Sequence, residues 1–241
     1  MQHDTNDLGQ PVGQALANWQ PPPRPPRQIL EGRYCRLEPL DLAWHAEALF
    51  AANGLDDEGR NWTYLPYGPF ADLAAYRAWV EEASGSEDPL FFAIVEEATG
   101  LAEGVASYLR ITPESGAIEV GHINYSPLLQ RTRAGTEAMY LMMEQAFTLG
   151  YRRYEWKCNA LNTPSREAAL RLGFSYEGLF RQAAVVKGRN RDTAWYAVID
   201  QEWPALEVAF HQWLDPANFD GQDQQLCSLS ALTAPLLVQR G

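Results

Sequence analysis

Between Ala117 and Ile199 the sequence switches repeatedly between a period of two and a period of 3.6, and this alternation restricts the fold more than any other feature of the chain. Ala117–Tyr125 reads as a strand. From Arg133 to Leu149 the pattern is helical, with Ala134, Ala138, Leu141 and Met142 on one side and Met139, Met143, Ala146 and Phe147 on another. A helix apolar over so much of its circumference packs on a sheet and is covered again. Gly150 stops it. Arg153–Cys158 alternates strictly: Tyr154, Trp156 and Cys158 point one way, and Arg153, Glu155 and Lys157 the other. Thr163, with Pro164 behind it, caps a short helix that ends at Gly173. Phe174–Val186 and Asp192–Ile199 are the last two strands, joined by the basic turn Lys187-Gly188-Arg189-Asn190-Arg191. The order strand, helix, strand, helix, strand requires parallel pairing near the middle of a mixed sheet.

Upstream, Tyr34–Leu37 reads as a first strand, and Asp41 caps a helix running to about Ala52. A polar, aromatic loop spans Gly54–Pro69, and Asp72 caps a second helix. Leu90–Val95, Gly104–Ile111 and Ala117–Tyr125, joined by tight turns, form an antiparallel meander. The predicted fold is α/β: a mixed, mostly antiparallel twisted sheet of about seven strands flanked by helices. Residues 1–31 form a Pro-rich arm whose PPPRPPR stretch is extended polyproline, expected as a strap across the protein's own surface with Trp19 as its anchor. Residues 32–203 form the folded domain. Residues 204–241 hold the rest of a C-terminal helix over Glu202–Leu214, then a loose tail. The tail's apolar end, Leu229–Val238, is expected to dock on the body or on a second copy in a homodimer.

The chain carries 19 basic against 31 acidic side chains, a net charge of -12. That balance speaks against a nucleic-acid partner, which needs a basic face. It suits a solvated surface or a cationic substrate. Cys35, Cys158 and Cys227 lie far apart with no CxxC, and His3, His45, His122 and His211 have no metal-ligand spacing, so no metal is expected. Met1–Gln10 has no apolar h-region and no run is long enough for a membrane span, so a cytoplasmic protein without a membrane partner is expected.

A strand that ends at Ser126-Pro127 and leads into a helix leaves free backbone N–H groups at the helix start. Those groups and the dipole suit an anion. The segments EVGHINYSP, LLQRTRAGTEA, EWKCNALNTPS and LRLGFSYEGLFR, taken in this order, resemble the GNAT acetyltransferase core in its ribosomal-protein alanine and serine acetyltransferase branch. The resemblance runs from Gly32 to Trp203. It implies parallel central strands splayed to admit the CoA arm, and acetyl-CoA as co-substrate. It also implies direct transfer of the acetyl group to a primary amine, either a protein N-terminus or a small amine, in a ternary complex.

The family's diphosphate loop falls on Gln130, Arg131, Thr132, Arg133, Ala134 and Gly135, with Thr136 following; Arg133 stands where the first glycine is expected, and its side chain and that of Arg131 are then candidate phosphate ligands, unless both are plain helix-surface charges. Ile123 and Asn124 would bind the pantetheine through their backbone, and Asn162 through its side chain, unless Asn162 only forms a turn. Ser165 would protonate the leaving thiolate, unless it only bonds the backbone at the helix start; the tyrosine that other branches use falls on Ala169. Glu119 is the candidate base, or else a structural partner of Arg153 or Lys157. By alternation it shares a face with Gly121, Ile123 and Tyr125, and His122 lies opposite unless a bulge intervenes. The glutamate of the branch is missing near Ala184. Trp62, Tyr64 and Tyr67 fall where the acceptor is read, with the faces of Tyr64 and Tyr67 suited to a cation, unless these rings only pack a long loop. A non-catalytic acyl-CoA sensor or scaffold stays open as the alternative.

Overall fold

The computed structural model describes residues 3–241, so the arm's first two residues, 1–2, lie outside it. The elements in chain order are β1 (His3–Thr5), β2 (Pro11–Gly13), β3 (Leu30–Glu31), β4 (Cys35–Pro39), α1 (Leu42–Asn53), α2 (Leu73–Gly85), β5 (Leu90–Glu96), β6 (Ala102–Thr112), β7 (Ala117–Tyr125), α3 (Arg133–Thr148), β8 (Arg153–Asn159), α4 (Thr163–Arg171), β9 (Ser175–Val186), β10 (Arg189–Ile199), α5 (Trp203–Leu214) and α6 (Leu229–Thr233). β1 and β2 form a small hairpin of their own. The main sheet has eight strands in the order β3-β4-β5-β6-β7-β8-β10-β9. Its pairs are antiparallel except β7 with β8.

Each face of the sheet has its own core. On one side α1 and α2 press Leu49, Tyr76 and Val80 against Phe91, Ala93 and Val105. On the other, α3, α4 and α5 cover Phe92, Ile94, Tyr108, Ile118 and Val120. Alternate residues of β5 thus enter opposite cores, which is why that strand reads as an unbroken apolar run. The helix starts follow local chemistry. Asp41 accepts the N–H of Ala43 at 2.7 Å and of Trp44 at 3.0 Å, and Asp72 that of Ala75 at 2.8 Å.

The central helix α3 is held by polar ties as well as packing. Buried Glu137 accepts the backbone N–H groups of Arg33 (2.9 Å), Tyr34 (2.6 Å) and Cys35 (2.9 Å). The chain passes so close that a Cβ on Gly32 would lie 2.5 Å from the same carboxylate. From the sheet, the Tyr108 hydroxyl donates to Met142 O at 2.6 Å.

The chain's ends add one strand to the expected fold, while the strap and the docking of the tail's apolar end on the body were expected. Leu30 and Glu31 pair with Leu37 and Arg36, so the sheet begins inside the arm and gains an eighth strand. The polyproline stretch is a strap: Pro22 and Pro25 are buried, and Tyr151 donates to Pro23 O at 3.2 Å. Trp19 packs beside Gly116. The C-terminal segment is docked. Leu229 is wholly buried, and the N–H of Tyr176 donates to Gln239 O at 2.9 Å.

Replacing Glu137 by Ala leaves three donors without their acceptor. We expect a loss of about 3–5 kcal/mol, seen as a melting temperature lower by roughly 10 °C. Glu137→Gln should lose less, because an amide oxygen still accepts.

Candidate functional site

The parallel ladder between β7 and β8 is short. It pairs Ala117 to Val120 with Arg153 to Trp156 and then stops. Beyond it Lys157, Cys158 and Asn159 stay on β10, opposite Trp195, Ala194 and Thr193. Asn124 and Tyr125 stay on β6, opposite Val105 and Gly104. The two strands therefore part into a cleft, and the β8-facing edge of β7 has no strand partner there among the described residues.

The local cause lies in β7. Gly121 to Asn124 opposes only Ser107 to Val105, so β7 carries one extra residue, and His122 takes a φ of +51°. Such a bulge bends the strand and increases its twist. It also resets the alternation. Ile118 and Val120 face α3, as do Ile123 and Tyr125 beyond the bulge. His122 faces the α1–α2 side, stacked on Tyr67 at 5.6 Å, and Asn124 donates to Asn53 Oδ1 at 3.2 Å. The alternation expected for this strand is thereby corrected: Glu119 does not share a face with Ile123 and Tyr125, and His122 is not opposite it.

At the same end of the sheet lies the start of α3. Thr132 is its N-cap, and its Oγ1 accepts the N–H of Gly135 at 2.9 Å. The Thr136 N–H is taken by Thr132 O at 3.3 Å. The N–H groups of Arg131, Arg133 and Ala134 have no acceptor among the described residues. Arg131 has a φ of +62°, which turns the chain into the helix. Gln130 works as a tether, its Nε2 donating to Tyr125 O and Asn61 Oδ1, each at 2.9 Å. Gly135 is small for packing: a Cβ there would lie 2.7 Å from Leu129 O and 3.0 Å from the Tyr125 ring.

The Arg133 side chain is engaged away from this turn. Its guanidinium pairs with Asp223, lies over the rings of Tyr34 (4.8 Å) and Phe219 (4.3 Å), and so helps hold the C-terminal segment. Only its amide stays with the turn.

On the β8 side, Asn162 caps α4 by accepting the Ser165 N–H at 3.3 Å, which is the turn-forming role the sequence left open for it. Ser165 Oγ accepts the Trp156 indole N–H at 3.1 Å, beside the buried Cys158 thiol, whose pKa burial raises.

The aromatic loop splits in function. Trp62 is 5% exposed, under Gly68 and edge-on to Phe70 at 5.4 Å, so its ring is packed in the core, the alternative the sequence left open for it. The Tyr64 hydroxyl donates to Leu161 O at 3.2 Å, tying the loop to the far side of the cleft. The Tyr67 hydroxyl lies 3.1 Å from His122 Nδ1. Burial first, and then Arg110 and Arg191, lower the His122 pKa to about 4.

Glu119 is 3% exposed, and its Oε2 lies 2.9 Å from Lys157 and 2.7 Å from Arg110. Lys157 also meets Glu155 at 2.6 Å and sits 3.7 Å from the centre of the Trp195 ring. The pairing weighed for Glu119 is thus with Lys157; Arg153 turns instead to Glu155 at 2.6 Å and to Glu177.

Three residues were missed as site components: Arg110, Lys187 and Arg191. Lys187, at the β9–β10 hairpin tip, donates to Trp62 O and Gly68 O, each at 2.8 Å, and so latches the hairpin onto the aromatic loop. The basic turn was visible in the sequence, but nothing local named its partner.

Known proteins resemble this chain along the same span. Residues 35–175 match the family described as acetyltransferase (GNAT) domain. The chain is 50% identical to a GCN5-related N-acetyltransferase of Brucella melitensis, whose crystal structure superimposes with a TM-score of 0.89 over 91% of this chain and 100% of that one. It is 28% identical over 148 residues to the uncharacterized N-acetyltransferase p20 of Bacillus licheniformis, which is 58% of this chain and 80% of that protein. It shares the fold of an acetyltransferase of Salmonella typhimurium that modifies the N-terminal serine of a ribosomal subunit protein, at 22% identity, 71% and 99% coverage and a TM-score of 0.60.

The depressed His122 pKa has a signed consequence for stability. Between its ordinary value of 6.5 and about 4, the unfolded chain binds a proton that the folded one refuses. This contribution is therefore fully present above 6.5 and is lost as pH falls toward 4. In urea unfolding at pH 7 and pH 4.5, His122→Asn should lose less stability between the two than the wild type; asparagine tolerates the positive φ.

Proposed function

This chain belongs to the GNAT acetyltransferase family and is an acyltransferase, and from that premise we propose that it moves an acetyl group from acetyl-CoA to a primary amine. The amine, a protein N-terminus or a small molecule, would attack directly in a ternary complex. The observation that carries the reading is the early parting of β7 and β8, which opens a strand edge beside the unpaired amides of α3.

The residues present fit acetyl-CoA. The N–H groups of Arg131, Arg133 and Ala134 suit a diphosphate at the positive end of a helix dipole. Gln130, Thr132, Gly135 and Thr136 shape that turn. The open edge of β7 around Ile123 and Asn124 offers backbone groups to an extended amide-bearing arm and a donor to a polarised carbonyl. Asn162 lends its amide nitrogen, since its oxygen is used in capping. When bound, acetyl-CoA supplies a thioester whose carbonyl carbon takes the amine nitrogen as the carbon–sulfur bond breaks.

The two proton roles fall on groups at the cleft. Trp156 fills a lone pair of Ser165 Oγ, so the Ser165 hydroxyl hydrogen is directed elsewhere, and we assign it to the leaving sulfur. The Ser165 alkoxide regains a proton from water. Glu119 has Oε2 committed to two cations, and Oε1 remains to accept the proton of the attacking amine, directly or through water. A lysine-type amine with a pKa of about 10.4 needs such a base far more than an α-amine with a pKa of about 8. Tyr64 and Tyr67 border the acceptor side. Much of the rate comes from holding the amine against the thioester.

Release of free thiol from acetyl-CoA, screened over amines and N-terminal peptides, tests this reading. If CoA binds by calorimetry and no amine releases thiol, the chain is a binding module. Ser165→Ala should lower kcat about a hundredfold with KM for acetyl-CoA little changed. Glu119→Gln should lower kcat/KM by about the same factor near neutral pH and recover as pH rises, because the amine then arrives neutral. A thermal melt guards against misfolding.

A further inference from the structure

The acceptor side of the cleft holds more positive charge than its carboxylates can balance. Across the sheet face run Arg110, Glu119, Lys157, Glu155, Arg153 and Glu177, each paired with the next. Three cations meet three carboxylates, and the row is neutral. Arg191 is left over.

Arg191 lies on β10 on the same face as Thr193 and Trp195, and Trp195 underlies Lys157. Its Nε donates to Thr193 Oγ1 at 3.2 Å. Its two terminal nitrogens have no acceptor, and no carboxylate pairs with it, among the described residues. Yet it is half-buried, and that burial pulls its pKa below the usual arginine value. It lies within electrostatic reach of Glu119, of His122 and of Cys158 at the end of β8. Four residues before it, Lys187 latches the hairpin to the aromatic loop, so the guanidinium is carried on a fixed arm.

A partly desolvated guanidinium with its terminal fork free is costly unless an anion completes it. The fork matches a carboxylate by two parallel N–H bonds. We propose that the acceptor is an amine that also carries a carboxylate, and that Arg191 is the residue that binds this carboxylate. The inference rests on the acetyl-transfer reading above. With the carboxylate on Arg191, the amine end is directed toward Glu119 and the parting strands. A polyamine would instead bring a second positive charge against Arg191 and Arg110. The net charge of -12 belongs to the whole surface. Its field is screened over about 8 Å at physiological ionic strength, whereas the local guanidinium is not. The carboxylate has two sources of one chemistry: the α-carboxylate of a free amino acid, or an acidic side chain next to a peptide N-terminus.

The test pairs acceptors that differ only in that group: L-alanine with L-alaninamide, and a Ser-Asp peptide with a Ser-Asn peptide. Spermidine serves as the cationic control. Thiol release is measured with each, normalised to its neutral-amine fraction. One of the two carboxylate-bearing acceptors should exceed its uncharged partner by at least about tenfold in kcat/KM, and the pair that does so identifies the source. In Arg191→Gln that ratio should collapse toward one. Binding of the matching N-acetylated product to the enzyme–CoA complex, read by calorimetry, should weaken by about tenfold in the variant. A preference for the uncharged partners or for spermidine overturns the inference while leaving acetyl transfer intact. So does an Arg191→Gln loss equal for both members of a pair, or one confined to acetyl-CoA binding. Thiol release with none of these or any other amine removes the transferase reading, and this inference with it.

Discussion

The single extra residue in β7 organises the cleft. Forced to pass three steps of β7 against two of β6, the strand bends at His122 and can no longer follow β8. A non-glycine residue at a φ of +51° costs about 1 kcal/mol or more. The stacking of His122 on Tyr67 and its contact with Phe91 at 5.2 Å help to offset that cost. The same residue also decides which side chains meet. Without it, the alternation would send His122 and Asn124 to the opposite layers of the molecule. With it, His122 joins Glu119 on the side that Tyr67 closes.

The two sides of the cleft are built from different materials. Toward α3 the offered groups are backbone amides, and the side chains of Gln130, Thr132 and Asn162 are spent on holding the turns that aim them. The turn itself does not depend on a glycine where Arg133 stands. Arg133 is the first residue of α3, its amide remains unpaired, and its guanidinium is free to serve elsewhere. Toward α1 and α2 the groups are side chains: the charged row, the Tyr67–His122 stack and the Lys187 latch. There identity matters, because each buried charge depends on its neighbour.

Both ends of the chain reinforce the central helix. The strap from Pro22 to Leu30 leads into the turn that Glu137 gathers, and the C-terminal segment reaches Arg133 through Asp223 and Phe219. The turn at the start of α3 is thus bordered, through Arg133, by Asp223 and Phe219, which lie outside the span that matches the family. Those outer segments set its surroundings without supplying its amides.

The element order, the helix caps at Asp41 and Asp72, the parallel central pair and the acetyltransferase family were all legible in the sequence. Each is written in short-range pattern: a period of two or 3.6, a polar residue before an apolar run, or a glycine after one. Leu30–Glu31 escaped because a two-residue edge strand has no period to read. The partners of Arg133, Arg110 and Lys187, and the choice between packing and binding for Trp62, could not be read for a different reason. Whether an aromatic ring packs or binds, and which carboxylate an arginine finds, depends on partners up to a hundred residues or more away. The alternation rule also failed at His122, since one inserted residue shifts every later side chain to the other face and leaves the hydrophobic pattern almost unchanged. The sequence alone therefore determined the layers and the backbone turn at α3, which local geometry dictates. Only the tertiary structure decided which charges and rings meet at the cleft, because long-range register and burial set them.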